Sequence, residues 1–176
     1  MNSRAALFIA VLAGLLLAPA RPQGQSESAN KKFESPDKAL LASVVATNSG
    51  TAIASSESRV EVRSATGELL AQEDFTSPDG EHGYAVVKSA WTPDSQFFVF
   101  NLESSGGHSP WHTPVKFYSR KQKRIISLDN ALHDSLTGGG FVITAPDKVT
   151  VRLWFKKKKV TLSLSELAET AIARGL

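Results

Sequence analysis

Short runs of strand-forming residues alternate with tight-turn sequences along most of this chain, which limits the fold to sheets of short strands. Residues 59–64 (RVEVRS) place Val60 and Val62 on one face and charged side chains on the other, the period of a half-buried strand. Pro–Asp pairs, as at 93–94 and 146–147, interrupt later runs, and proline suits the first central position of a turn. The pattern predicts antiparallel strands rather than long helices.

The same pattern places up to nine strands and two short helices. The strands are predicted at 59–64, 69–75, 84–90, 96–102, 115–118, 124–128, 141–144, 149–155 and 160–164. The first helix is predicted at 127–136, with Asp129 as a candidate cap and a run of glycines after it. The second is predicted at 165–174, with Ser163 or Ser165 as its cap. We therefore expect an all-β, mainly antiparallel domain with a short C-terminal helix.

The composition indicates one globular domain without thiol chemistry. The chain has 176 residues, 41% of them apolar, and no cysteine. That length suits a single domain with a packed core. The absence of cysteine excludes disulfides, thiolate metal ligands, iron–sulfur clusters and cysteine nucleophiles.

The first twenty residues have the pattern of a secretory signal peptide. Arg4 precedes the almost wholly apolar segment 5–17, and Ala18-Pro19-Ala20 supplies small residues at the cleavage positions. The alternative is a membrane anchor, although the apolar run is shorter than the roughly 20 residues of a spanning helix. We expect a signal peptide at 1–20, a flexible leader at 21–36 and a single β-rich domain at 37–176. The mature protein is then periplasmic or secreted, without a transmembrane segment.

Residues 85–129 contain the most specific motif of the chain. The segment 91–100 has the sequence WTPDSQFFVF, and two further predicted strands follow it. This arrangement resembles one blade of the WD40-like β-propellers of the TolB type, whose repeats carry a W-S-P-D-G-K core before a strand. Thr92 and Ser95 replace the usual Ser and Gly. The resemblance implies a binding scaffold rather than a catalyst, with Trp91 packed between neighbouring sheets.

The segments on either side resemble a blade less strongly. Residues 59–75 would be the outer strands of a preceding blade and 141–155 the start of a following one, but neither repeats the Trp-Pro-Asp core. A closed propeller needs four or more blades of four strands, and this chain has room for at most three. Two architectures therefore stay open: propeller-blade-like sheets packed on one another, or a β-sandwich that contains the motif by coincidence.

Residues 104–112 (SSGGHSPWH) form the main candidate site. The chain lacks the G-x-S-x-G, H-E-x-x-H and G-x-x-x-x-G-K motifs, so catalysis has little support. His108 and His112 could ligate a divalent ion if a carboxylate such as Asp94 or Glu103 came near. In the alternative, one histidine hydrogen-bonds loop carbonyls and the other is solvated. The predicted binding residues are Trp91, His108, Trp111 and His112.

Two clusters of basic residues are candidates for contact with an anionic surface. The surface would be an envelope polymer or lipid head groups. The alternative is solvated turns whose lysines protect strand edges from aggregation. Nucleic acid is not expected, because the protein is exported and these turns lack stacking aromatics. The clusters are Lys116, Arg120, Lys121, Lys123 and Arg124 around one turn, and Lys156, Lys157, Lys158 and Lys159 in another.

Charge is divided unevenly along the chain. Residues 27–103 contain six lysines and arginines against twelve acidic residues, whereas residues 104–176 contain twelve against five. Such a division can steer a charged partner toward one face, or the two halves can pair and neutralise each other.

Together these patterns predict an exported, non-catalytic binding module of the cell envelope that needs no cofactor. Its partner would be an envelope protein or an anionic polymer, and its oligomeric state stays open. The alternative is a small metal-binding protein or metal-assisted hydrolase that uses the 106–112 loop.

Overall fold

The computed structural model describes residues 30–47, 56–107 and 109–175, so the predicted signal peptide and most of the predicted leader lie outside the described residues. Strands predominate in these ranges. The elements are β1 (Lys31–Glu34), β2 (Leu40–Ala46), β3 (Ser58–Ser64), β4 (Leu69–Asp74), β5 (Tyr84–Trp91), β6 (Phe97–Ser104), β7 (Val115–Ser119), β8 (Arg124–Ser127), α1 (Leu128–Leu132), β9 (Leu136–Ala145), β10 (Lys148–Leu153), β11 (Lys159–Ser163) and α2 (Leu164–Ala173).

The strands form three antiparallel sheets in chain order. Sheet A contains β1 to β4, sheet B contains β5 to β8, and sheet C contains β9 to β11. Each strand pairs with the next along the chain inside its sheet. The prediction of an all-β, mainly antiparallel domain with a short C-terminal helix is confirmed.

Sheet B lies between the other two sheets, which explains why β6 is apolar on both faces. Phe98 and Phe100 enter the core between sheets A and B, whereas Phe97 and Val99 enter the core between sheet B, sheet C and the helices. The A–B core also contains Leu40, Ala42, Val44, Val60, Val62, Phe75, Leu102 and Tyr118. The B–C core also contains Val115, Phe117, Ile126, Leu128, Leu136, Phe141, Val149, Val151, Leu153, Leu164, Ala168 and Ala171.

On the faces of sheets A and C that point away from sheet B, strands β3, β10 and β11 carry polar side chains that contact one another. On β3, Arg59 and Arg63 both form ion pairs with Glu61, at 3.0 and 2.9 Å. On sheet C, the hydroxyls of Thr150 and Thr161 are 2.8 Å apart across two strands. Strict alternation along these strands therefore directs valines to the cores and polar groups to solvent.

Several predicted boundaries differ from the structure: β2 was not predicted as a strand, β9 begins at Leu136 rather than at 141, and β10 ends at Leu153 rather than at 155. Strand β1 begins at Lys31, inside the segment predicted to be a flexible leader, because Phe33 packs 5.6 Å from the ring of Phe98. The first helix is also shorter than predicted. Its N-cap is Ser127, and it ends at His133, which takes the left-handed conformation (φ 50°). The following glycines belong to β9, where they form a bulge opposite β10.

Candidate binding surface

Ser105, the first residue of the loop between β6 and β7, donates a hydrogen bond to a buried carboxylate that was not predicted from the sequence, that of Glu57. Glu57 is 0% exposed, and its carboxylate accepts hydrogen bonds from the Ser77 hydroxyl (2.6 Å), the Ser77 amide (2.8 Å), the Gly83 amide (2.6 Å) and the Ser105 hydroxyl (3.0 Å). Burial by itself would raise the pKa of Glu57, but these hydrogen bonds outweigh it and lower the pKa below its ordinary value. Glu57 thereby connects three chain segments at one end of the loop.

Gly83 permits this close arrangement. A Cβ atom at Gly83 would lie 2.3 Å from the Phe75 carbonyl oxygen and 2.5 Å from Glu57 Oε1, so a side chain has no room there. No periodicity or motif marked Glu57 or Gly83, because their partners come from distant parts of the chain.

A second carboxylate, Asp129, fixes the far end of the loop. Its Oδ1 lies 2.8 Å from His112 Nε2 and accepts the Leu136 amide at 3.1 Å. Its Oδ2 accepts the Val115 amide at 3.3 Å. Asp129 therefore orients the His112 ring, whereas the sequence analysis treated it only as a helix cap.

Trp111, a predicted binding residue, is paired with a tryptophan that was not predicted. Its ring stacks on His112, with centroids 5.5 Å apart, and lies 5.0 Å from the ring of Trp154. Trp154 follows β10, and its amide donates to the Ser135 carbonyl at 2.8 Å. The two indoles are 40% and 41% exposed, so loops from two sheets present aromatic area to solvent. The sequence did contain a signal for this surface, because two aromatic residues, Trp154 and Phe155, directly precede the lysine run.

The turn between β10 and β11 continues this exposed area. Phe155 is 71% exposed, and Lys157 takes a positive φ of 48°. Lys156 lies 3.7 Å from Asp134. Within the described ranges, Lys157 and Lys158 in the turn and Lys159 at the start of β11 have no carboxylate within 4 Å. We call Trp111, Trp154, Phe155 and residues 156–159 the aromatic–lysine surface.

In the basic cluster around the β7–β8 turn, some residues form ion pairs and others have no acidic partner among the described residues. Lys116 pairs with Glu73, and Arg120 pairs with Asp37. Both pairs join sheet B to sheet A, and they join the basic half of the chain to the acidic half. These two residues therefore stabilise the packing of sheets, in line with the neutralising alternative for the charge division. Lys121 lies 3.4 Å from Glu169 in an exposed pair, while Lys123 and Arg124 have no acidic partner among the described residues.

Trp91 lies away from Trp111 and His112. Its indole N–H donates to the Phe33 carbonyl at 2.8 Å, and its ring lies 5.2 Å from Phe98 and 6.3 Å from Tyr118. It pairs with Phe98 near the start of β6, whereas the loop with Trp111 leaves from the other end, roughly 20 Å along the strand. Trp91 thus packs between sheets A and B. His108 lies outside the described residues.

The described residues do not bring the predicted metal ligands together. Asp94 accepts hydrogen bonds from Thr92 (2.6 Å) and the Gln96 amide (3.2 Å) inside its own turn, and His112 pairs with Asp129 instead. No group of three or more His, Asp or Glu side chains in the described ranges is placed to hold a metal ion.

The sequence matches no protein-family model and no curated protein. In the part of the chain that the structure covers, no helix has both the length and the apolarity required to cross a membrane.

Proposed function

We propose that this chain is an exported, non-catalytic binding module that contacts its partner through the aromatic–lysine surface. One observation carries the proposal: Trp111 and Trp154, from loops of different sheets, lie 5.0 Å apart and stay two-fifths exposed, and the lysines at 157–159 have no acidic partner among the described residues. Exposed aromatic clusters cost solvation free energy, and tryptophan is enriched at the centres of binding sites.

The scaffold behind this surface supports a binding role. Glu57 accepts a hydrogen bond from the Ser105 hydroxyl at one end of the β6–β7 loop, and Asp129 contacts His112 and the Val115 amide at the other end. A loop that is ordered before binding loses less conformational entropy when the partner arrives. The end of the loop that carries Trp111 is thus held in place before contact, through the bond between His112 and Asp129.

A propeller-like scaffold forms part of the proposal. Residues 84–127 make one four-stranded antiparallel sheet, and the segments on either side belong to sheets A and C. Ser95, which stands where the resembled repeat has glycine, takes a φ of 61°, a conformation that glycine adopts freely. Thr92 and Asp94 are joined by a 2.6 Å hydrogen bond inside the same turn. These features support a blade at this position.

The test is affinity capture from a cell-envelope extract with the chain beginning at Arg21. We expect a captured component that is lost in the Trp111→Ala, Trp154→Ala double variant. The matched control is the Leu69→Ala, Val87→Ala double variant, which removes two comparably exposed apolar side chains elsewhere. Equal capture by the wild type and the tryptophan variant would contradict the proposal.

A further inference from the structure

We propose that the aromatic–lysine surface docks on the surface of an anionic phospholipid bilayer. Trp111, Trp154 and Phe155 would lie among the head groups, and the lysines of the β10–β11 turn would contact lipid phosphates. This inference rests on the proposed binding function and names the partner of the same surface.

The turn between β10 and β11 carries the exposed apolar area of this surface. Phe155 is 71% exposed in the β10–β11 turn and has no polar atom that water could solvate favourably. Trp154 precedes it, and Trp111 reaches the same place from another loop. Indole rings favour the membrane interface because they combine a large apolar body with a polar N–H group. Two indoles and one phenyl ring, from two neighbouring loops, thus suit the interfacial layer of a bilayer.

The positive charge of the lysine run also suits an anionic bilayer. Lys156, Lys157, Lys158 and Lys159 follow the exposed aromatics without interruption. Among the described residues, the buried Asp134 forms an ion pair with Lys156 alone. Asp129 is occupied by His112 and two backbone amides. The net charge that the turn presents is therefore positive, and such clusters attract anionic lipid head groups.

The chemistry favours a bilayer over a sugar polymer. Lysine ammonium groups donate hydrogen bonds and accept none, so they suit phosphate oxygens better than sugar hydroxyls, which need both donors and acceptors. The ring of Trp111 already stacks near two other rings, which leaves less free face for a sugar. An acidic protein is the alternative partner, and the experiment below distinguishes it from a bilayer.

The experiment measures sedimentation of the chain beginning at Arg21 with phosphatidylcholine vesicles, with and without about 30% phosphatidylglycerol. This chain retains every described residue and lacks the apolar segment 5–17, which could insert by itself. We expect at least about tenfold stronger partitioning onto the anionic vesicles, a blue shift of tryptophan emission and a loss of binding at high salt.

Two charge-reversal variants locate the contact. Lys157→Glu with Lys158→Glu should weaken binding about tenfold, whereas Lys123→Glu with Arg124→Glu should weaken it less than about twofold. The pairs are matched, because Lys157 and Lys123 both take left-handed turn conformations (φ 48° and 51°) and each precedes a basic residue without an acidic partner in the described ranges. Phe155→Ser should also weaken binding, with the salt dependence unchanged.

Binding that does not favour anionic vesicles, or that falls equally in both charge variants, would overturn the bilayer proposal. If the protein does not bind anionic vesicles while capture from extract still depends on Trp111 and Trp154, the partner is a different molecule. The bilayer proposal is then wrong, and the proposed binding function is kept. If neither vesicles nor extract bind through these tryptophans, the proposed function fails as well. Thermal melting of each variant excludes loss of fold as the cause.

Discussion

The ring of Trp111 lies 5.0 Å from the ring of Trp154 at an interplanar angle of 31°, although one belongs to the loop leaving sheet B and the other to a turn of sheet C. Trp91, the third tryptophan, instead donates its indole N–H to Phe33 inside the A–B interface. The chain thus uses tryptophan in two ways, for a surface and for sheet packing. Stability measurements can separate these roles.

We expect Trp91→Ala to reduce the free energy of unfolding by roughly 3 kcal/mol, because it removes a large side chain packed between two sheets. Trp111→Ala should reduce it by only about 1 kcal/mol, since the ring is two-fifths exposed and loses mainly its aromatic contacts. Urea denaturation of both variants measures the difference. Equal losses would show that Trp111 is a structural residue.

Glu57 should make the protein sensitive to acid. Its pKa is lower in the folded protein than the ordinary value of 4.5, so it stabilises the fold above that pH and loses this contribution as pH falls through its folded pKa. Glu57→Gln should lower stability by roughly 2–3 kcal/mol at neutral pH, because the amide N–H₂ would meet other donors. The difference from wild type should shrink below about pH 4.5.

Unfolding curves between pH 7 and 3 measure this effect, with Glu81→Gln, an exposed glutamate in the neighbouring turn, as the control. A difference between Glu57→Gln and wild type that stays constant over this pH range would contradict the assignment.

Gly83→Ala should be more destabilising than alanine at an open turn. Its new Cβ would lie 2.3 Å from the Phe75 carbonyl oxygen, which forces a backbone shift costing roughly 3 kcal/mol. Gly67→Ala, at a position with positive φ (90°) but no atom within 4 Å of the new Cβ, should cost about 1 kcal/mol. Thermal denaturation compares the two, and a loss at Gly83 no larger than the loss at Gly67 would mean that the atoms around Gly83 move to accommodate the new Cβ.

The Lys116–Glu73 ion pair should couple sheets A and B. A double-mutant cycle with Lys116→Gln and Glu73→Gln should give a coupling free energy of about 0.5–1 kcal/mol, since both side chains are partly shielded from water. The coupling should fall at high salt. A zero coupling at low salt would show that the basic residue is free to serve as a partner contact.

Zinc titration tests the metal-binding alternative. We expect no change in tryptophan fluorescence or melting temperature at micromolar Zn²⁺, because the described residues around His112 offer only Asp129, which is already hydrogen-bonded to two amides. A zinc-dependent rise in melting temperature that disappears in both His108→Ala and His112→Ala would restore the metal hypothesis.

Most strands could be predicted from sequence because their signals are local. Alternation in β3 and the turn residues around it act over a few neighbours, and Ser163 caps α2 as one of two predicted candidates. Strand β1 could not be predicted in this way, since its sequence KKFE carries one apolar residue. Its formation depends on Phe33 meeting Phe98 and Trp91 across the A–B interface.

The surface was predicted in part. Trp111, His112 and the lysine turn were identified by residue type, whereas Trp154 and the hydrogen bonds to Glu57 and Asp129 were not. Those contacts join residues far apart in the chain.

Strand content, the motif of sheet B and the clustering of basic residues are encoded locally, because alternation, turn chemistry and composition are properties of adjacent residues. The tertiary structure sets which charges pair across sheets, as Lys116 does with Glu73, and which have no acidic partner among the described residues. It also placed Trp154 against Trp111. Packing sheet B between two other sheets sets these distances, and no local pattern encodes the neighbours of a residue across an interface between sheets.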